Sequence, residues 1–179
     1  TTNTSLVFAV NDGNLGIAHY GKKITDLPQS DSLDMFLLNG QWGASVDRFN
    51  ITKMSYSFVG DGNMRESLVS VINSDGTYTS RFVYKKHSLV NGGIPLDDLP
   101  CARNAEKTLI VELADDYTNL TLKQYYTVFK DSDIIAVRQE LTNNGKGNVT
   151  VLRLMSLQLD VSGTSYNCVS FNGAWARER

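Results

Sequence analysis

The residue types that carry most enzyme chemistry are few in this chain, and their spacing matches no established motif. His19 and His87 are isolated from each other and from Cys101 and Cys168, which form no C-x-x-C pair. Spacings of this kind exclude a zinc knuckle or a redox motif, and we expect no metal and no cofactor. We expect the two thiols to be reduced and mostly buried.

Acidic residues are the remaining candidates for catalysis, because a glycosidase needs two carboxyl groups that flank the bond it cleaves. Most acids here fall in turns or on the polar faces of predicted strands, and no spacing singles out a pair. The NDGN sequence at 11–14 and the DSD sequence at 131–133 lack the later residues of a calcium loop and are better explained as turns. We therefore predict no catalytic residue in this chain.

The elements that would position such residues are strands, because apolar residues alternate with period two along most of the chain. The predicted strands are 5–10, 15–20, 68–72, 78–87, 107–114, 119–129, 133–141 and 149–161. Short turn sequences separate most of them, which favours antiparallel hairpins, including one closed by the turn at 74–76. The predicted fold class is all-β, a two-layer antiparallel β-sandwich.

Two stretches interrupt this alternation. Residues 38–64 are rich in Gly, Asn and Ser, and we expect a long functional loop there. This stretch carries four aromatic side chains, namely Trp42, Phe49, Tyr56 and Phe58. Residues 91–104 contain two glycines and two prolines, and we predict an irregular crossover between two sheet regions.

Chain length and charge narrow the number of domains and the kinds of partner that this chain can have. A chain of 179 residues with 41% hydrophobic residues fits one domain over 1–179. The 17 basic and 19 acidic residues are mixed, so we expect neither nucleic acid nor a membrane surface as a partner. The chain starts at Thr1 without a signal-peptide pattern, and we expect a trimmed start and a cytoplasmic protein. Four N-x-S/T sequons are attributed to chance.

A series of segments in the second half, supported by shorter ones upstream, resembles a known enzyme family. In order these are LIVEL at 109–113, TLKQYYTVF at 121–129, IIAVR at 134–138, LTNNG at 141–145, LMSLQLD at 154–160 and GAWARER at 173–179. Upstream lie GKK at 21–23, GNMRE at 62–66 and YKKH at 84–87. The ordered set resembles the N-terminal domain of the family 36 glycoside hydrolases, the bacterial α-galactosidases.

The resemblance implies a non-catalytic β-supersandwich that precedes a (β/α)8 barrel. That barrel would remove terminal α-linked galactose, as from melibiose or raffinose, with retention, by means of two aspartates beyond residue 179. We therefore expect this chain to be cut from a longer enzyme. The family also implies a homo-oligomer, commonly a tetramer, in which an early loop of this domain reaches a neighbouring active site. The nearest candidates for sugar contacts are Asp34 and Arg48, with Trp42 as an apolar platform.

One motif departs from the family pattern. Similar proteins have Gly-x-Asp-aromatic-Arg where this chain has Asn63 and Met64 before Arg65, so a carboxylate that could brace the arginine is missing. Near the end of the chain, Trp175 is interpreted as a core or interdomain anchor.

Two other functions remain open on the sequence. A free-standing carbohydrate-binding module would use exposed aromatics, for which Trp42, Tyr56 and Phe58 are available. A surface adhesin or interaction domain has only the sequons in its favour.

Overall fold

The computed structural model describes residues 1–25, 53–60, 65–96, 99, 101, 103–161, 165–170, 173 and 175–176. Eight strands account for the regular secondary structure of this part of the chain. They are β1 Thr4–Asn11, β2 Asn14–Lys22, β3 Val69–Ile72, β4 Val83–Asn91, β5 Ala105–Asp115, β6 Leu120–Phe129, β7 Ile135–Asn143 and β8 Thr150–Leu154. No helix occurs among the described residues, so none there is long and apolar enough to cross a membrane.

The strands form one four-stranded and two two-stranded sheets, and every strand pair is antiparallel. The larger sheet has the order β4-β5-β6-β7, while β1 pairs with β2 and β3 pairs with β8. The apolar core contains residues of β2, β3, β5 and β6 together with side chains of residues 54–58. The all-β sandwich predicted from the alternation is confirmed.

Residues 53–58, which we call the central segment, connect the two small sheets into one layer. On one side the Ile17 amide donates to the Lys53 carbonyl at 2.7 Å, and the Ser55 amide donates to the Leu15 carbonyl at 3.2 Å. On the other side the segment bridges to β3 through Phe58 and Val69. Because these bonds satisfy the backbone of a buried segment, the chain can cross the core without orphaned polar groups.

Side chains of the central segment also bind the opposite layer. Gln124 of β6 is fully buried, and its Nε2 donates to the Ser55 carbonyl at 3.1 Å. Its Oε1 accepts from Ser55 Oγ at 3.1 Å and from the Tyr126 hydroxyl at 3.3 Å. Tyr56 donates to the Phe82 carbonyl at 2.9 Å. These bonds cross the core between the two layers and fix their relative position.

The hairpin predicted at 11–14 is confirmed, and its geometry explains its sequence. Asp12 and Gly13 have φ values of 48° and 76°, as a two-residue turn that follows the strand twist requires. A Cβ on Gly13 would lie 2.4 Å from Cγ1 of Val83. Glycine is therefore needed at position 13 both for the turn and for the close approach of β4.

Three predicted connections are wrong. β3 and β4 do not form a hairpin around 74–76, because Asn73 closes a local turn with Thr77 and Thr79 and the chain then passes to the other layer. The stretch 91–104 is no crossover between sheet regions, since it joins β4 and β5, which are neighbours in one sheet. β7 and β8 likewise lie in different sheets, so the turn at 143–147 switches layers.

The last predicted strand, 149–161, is also wrong beyond its first residues. β8 ends at Leu154, and all five of its residues are exposed. Its partner β3 has only four residues, and the last contact with it is the Met155 amide donating to the Leu68 carbonyl. Alternation continues in the sequence, but without a neighbouring strand it produces no ladder.

We predict that Gln124→Leu lowers the free energy of unfolding by about 2 kcal/mol, because it leaves the Tyr126 hydroxyl and the Ser55 carbonyl without their partner in the core. Urea denaturation measures the change. The control is Lys123→Gln on the same strand, whose side chain is partly exposed, and it should shift stability by less than about 0.5 kcal/mol. Equal effects of the two substitutions would contradict the prediction.

Candidate functional site

The residues implied as sugar contacts, Asp34, Arg48 and Trp42, lie outside the described residues, as do Asn63 and Met64. The structure does describe the chain up to residue 25 and again from residue 53 to residue 60. We call residues 22–25 the outgoing stem and residues 53–56 the return stem. The two stems and the groups that hold them form the candidate site.

Hydrogen bonds hold the outgoing stem to the N-terminal segment. The Lys23 amide donates to the Asn3 carbonyl at 2.6 Å, and Lys23 Nζ donates to the Thr1 carbonyl at 2.9 Å. The Ile24 amide donates to Ser5 Oγ at 3.2 Å. The position of this stem therefore depends on how residues 1–5 are held.

Asp133, in the turn between β6 and β7, fixes that N-terminal segment. Its carboxylate accepts from the Asn3 amide at 2.7 Å, from Asn3 Nδ2 at 2.9 Å and from Thr1 Oγ1 at 2.8 Å. The two bonds from Asn3, followed by the bond from Thr1, lower the pKa of Asp133 to about 2. Charge at Asp133 is thus coupled to the placement of the outgoing stem.

The return stem is held by a carboxylate that also pairs with the family-motif arginine. Asp160 Oδ2 accepts from the Met54 amide at 3.2 Å and lies 3.2 Å from Nη2 of Arg65. The side chains of Arg65 and Asp160 are only 20% and 14% exposed. Arg65 thus pairs with a carboxylate that lies 95 positions later in the sequence (160 minus 65).

The aromatic side chains of the predicted loop do not form a sugar platform where the structure describes them. Tyr56 and Phe58 are buried in the core and stack on each other with ring centroids 5.8 Å apart. That part of the carbohydrate-module interpretation is wrong, because the central segment uses these rings to fill the sandwich. The most exposed aromatics in the described part of the chain are Tyr117, at 84%, and Trp175, at 95%.

Two expectations about burial are corrected. Trp175 is not a core residue. Cys101 and Cys168 are both exposed instead of buried, because neither lies in a strand that faces the core.

The outward face of the four-stranded sheet carries a polar group that the sequence motifs did not reveal. The Arg138 guanidinium lies 4.1 Å from the centre of the Tyr125 ring, and the Tyr125 hydroxyl donates to Glu140 Oε2 at 2.9 Å. Burial, followed by the bond to Glu140, raises the pKa of Tyr125. Period two could have placed the three side chains on one face, but the register of β6 and β7 was needed to bring them together.

The C-terminal part of the chain exposes large apolar side chains. Those of the described residues from β8 onward are Val151, Leu152, Leu154, Leu157, Val161, Tyr166, Val169 and Trp175. We call this set the C-terminal apolar set. Large apolar side chains left exposed in this number are candidates for packing against another body.

Acidic side chains of the described residues are engaged in structural contacts. Asp115 is buried, and it accepts from the amides of Arg81, Tyr117 and Thr118. Glu112 and Glu140 pair with lysines across neighbouring strands. No group of three potential metal ligands occurs within the part of the chain that the structure describes.

Comparison with known proteins gives the family. The model of the glycosyl hydrolase family 36 N-terminal domain matches residues 13–179. The chain belongs to this family. Alpha-galactosidase 2 of Hypocrea jecorina is 31% identical over 136 residues, which cover 74% of this chain and 18% of the relative.

Solved structures agree with the sandwich. The alpha-galactosidase from Lactobacillus brevis superposes with a TM-score of 0.85 at 26% identity, over 100% of this chain and 25% of that one. The family 36 alpha-galactosidase AgaA from Geobacillus stearothermophilus, a variant in complex with stachyose, gives 0.82 at 22% identity, over 99% of this chain and 26% of that one. The chain spans between 15% and 24% of the length of the curated relatives it matches.

We predict that Asp160→Asn destabilises the chain by about 2 kcal/mol, because it removes the negative charge that pairs with the largely buried Arg65. Chemical denaturation measures the loss. Asp116→Asn is the matched control, since Asp116 pairs with Lys85 at 2.6 Å but is 79% exposed, and it should cost less than about 0.5 kcal/mol. If the two variants lose the same stability, the anchoring role of Asp160 is wrong.

A second prediction concerns the stability of the chain at low pH. Because the folded-state pKa of Asp133 lies below the ordinary 3.8, its contribution to stability is complete above about pH 4 and is lost as the pH falls towards about 2. Asp133→Asn should remove this part of the pH dependence of the urea midpoint. Asp131→Asn, in the same turn, should retain it. A carboxyl NMR titration of the unmodified chain that places the pKa of Asp133 at or above 3.8 would refute the assignment.

Proposed function

We propose that this chain is the non-catalytic N-terminal domain of an α-galactosidase. The enzyme would release terminal α-linked galactose from oligosaccharides such as melibiose and raffinose, and the catalytic barrel would follow this domain. The observation that carries the proposal is the family match over nearly the whole chain, combined with the small share of each relative that the chain covers. Complexes of related Geobacillus stearothermophilus enzymes with stachyose and raffinose support the substrate class.

The chain would support catalysis through two surfaces. The C-terminal apolar set would pack against the barrel, which would account for the large apolar side chains that are exposed in the described residues from β8 onward. The stems would hold the loop that bears Asp34, Trp42 and Arg48 towards the active site of a neighbouring subunit. An arginine suits that role because its planar fork can bind two hydroxyls at once. A homo-oligomer in the cytoplasm belongs to the same proposal.

The first test is activity. The purified chain should release no para-nitrophenol from para-nitrophenyl α-galactoside, while the Lactobacillus brevis enzyme assayed in parallel does so. Hydrolysis that follows the chain through its last purification step would overturn the non-catalytic assignment.

The second test addresses the barrel-facing surface. The chain should bind the apolar dye ANS, and the double variant Leu152→Ser, Leu157→Ser should lower the bound fluorescence at least about twofold. Leu99→Ser is the control, because Leu99 is at least as exposed as Leu152 and Leu157 but lies outside the C-terminal apolar set. No dye binding, or an equal decrease with Leu99→Ser, would contradict the packing surface.

A further inference from the structure

Three turns meet in a polar cleft that no part of the proposed function uses. The turn at 73–76, the turn at 115–119 and the turn at 143–147 enclose about 220 Å³. That volume is below the range of roughly 300–1,000 Å³ typical of drug-sized ligands, so the cleft suits a single small ring.

The cleft is held in shape before any ligand arrives. Asp115 accepts from the amides of Tyr117 and Thr118 at 3.0 and 3.2 Å and thereby orders the middle turn. The Asn144 amide donates to the Asn119 carbonyl at 2.9 Å, which ties the middle turn to the third. A Cβ on Gly147 would lie 2.3 Å from the Cβ of Ser74, so the first and third turns touch. A rigid cleft loses little freedom on binding.

The groups at the mouth combine an aromatic ring with neutral hydrogen-bonding capacity. Tyr117 is 84% exposed and lines the cleft. Asn119 supplies a carboxamide beside it and has a φ of 57°, which asparagine tolerates better than most residues. The Asn143 carboxamide shapes the third turn, since it donates to the Gly147 carbonyl and accepts from the Gly145 amide. Lys146 and Asp75 carry opposite charges, so the lining has no net charge and does not select an ion.

The wall of the cleft also has unmet hydrogen-bonding capacity. Asn73 is 7% exposed, and its Nδ2 donates to Thr77 and Thr79 while its Oδ1 finds no partner among the described residues. Thr118 Oγ1 is likewise buried and unpartnered in that part of the chain. Both atoms are closed off from solvent, so they lie in the wall behind the cleft and do not themselves contact a ligand in it.

From this arrangement we propose that the three-turn cleft is a saccharide-binding site that takes one pyranose ring of an oligosaccharide. A pyranose has an apolar face of C–H groups that can lie on the Tyr117 ring, and hydroxyls at its rim that match the carboxamide of Asn119. The rest of the oligosaccharide would extend into solvent. The proposal does not depend on the proposed function, because it requires a sugar to bind and not to be cleaved.

The test is an NMR titration of the 15N-labelled chain with raffinose and, separately, with the open-chain polyol sorbitol. Raffinose should shift the amides of Tyr117, Asn119, Asn143 and Lys146 with a dissociation constant of about 1 mM, as expected for one stacked ring. Sorbitol presents hydroxyls without a ring face and should leave these amides unshifted at the same concentration.

Substitutions at Tyr117 test whether its ring stacks on the sugar, as distinct from a non-specific effect of raffinose on the hydration of the chain. Tyr117→Ala should weaken raffinose binding at least about tenfold, while Tyr117→Phe retains it. Tyr166→Ala removes another exposed tyrosine, outside the cleft, and should bind as the unmodified chain does. Since Tyr117 is exposed, its loss should not unfold the chain.

Three results would overturn the proposal. These are an absence of shifts at the cleft with raffinose up to about 50 mM, equal shifts with sorbitol, and unchanged binding by Tyr117→Ala. Hydrolysis of raffinose in any of these samples would count against the non-catalytic assignment and would leave the cleft assignment standing. The two proposals therefore fail separately.

Discussion

The burial of the central segment is the constraint on which the rest of this structure depends. Without residues 53–58, one layer would consist of two separate two-stranded sheets, and an isolated pair of strands is marginal in water. The segment bridges β2 and β3, fills the core with Tyr56 and Phe58, and binds the other layer through Gln124. Because residues 53–56 of this segment are also the return stem, the contacts that complete the layer also fix the chain where the described residues resume.

Two carboxylates finish that placement, and their environments explain why they act as anchors. Asp133 is exposed and accepts hydrogen bonds that hold its pKa near 2, which is the opposite of what a general acid needs. Asp160 shares its charge between the Met54 amide and Arg65. Both bind backbone beside a stem. Arg65 therefore has a carboxylate partner although position 63 is an asparagine. That partner, Asp160, comes from a distant part of the chain.

The sequence predicted what is local and missed what depends on distant partners. Turn residues located the hairpin at 11–14, and period two located β5, β6 and β7 to within a few residues. The pairing of β3 with β8 joins segments about 80 positions apart, and alternation contains no information about such partners. Composition also led to a wrong prediction at 53–58. Serine and aromatic residues suggested a loop there, but their hydrogen bonds and rings belong to the core. The pairing of Arg65 with Asp160 and the exposure of the Tyr117 ring could be recognised only in the folded structure.

β8 runs from the three-turn cleft towards the opposite end of the sandwich and carries part of the C-terminal apolar set along its length. β8 is antiparallel to β3, with Thr150 opposite Ile72 and Leu154 opposite Val69. Thr150 therefore lies at the end of the sandwich where β3 enters the first turn of the cleft, and Leu154 lies at the other end. The chain beyond Leu154 starts from that far end. A body that packs at that end, on Leu154, would not cover the turn that β3 enters, whereas Val151, opposite Val71, lies one residue from the cleft end of the strand.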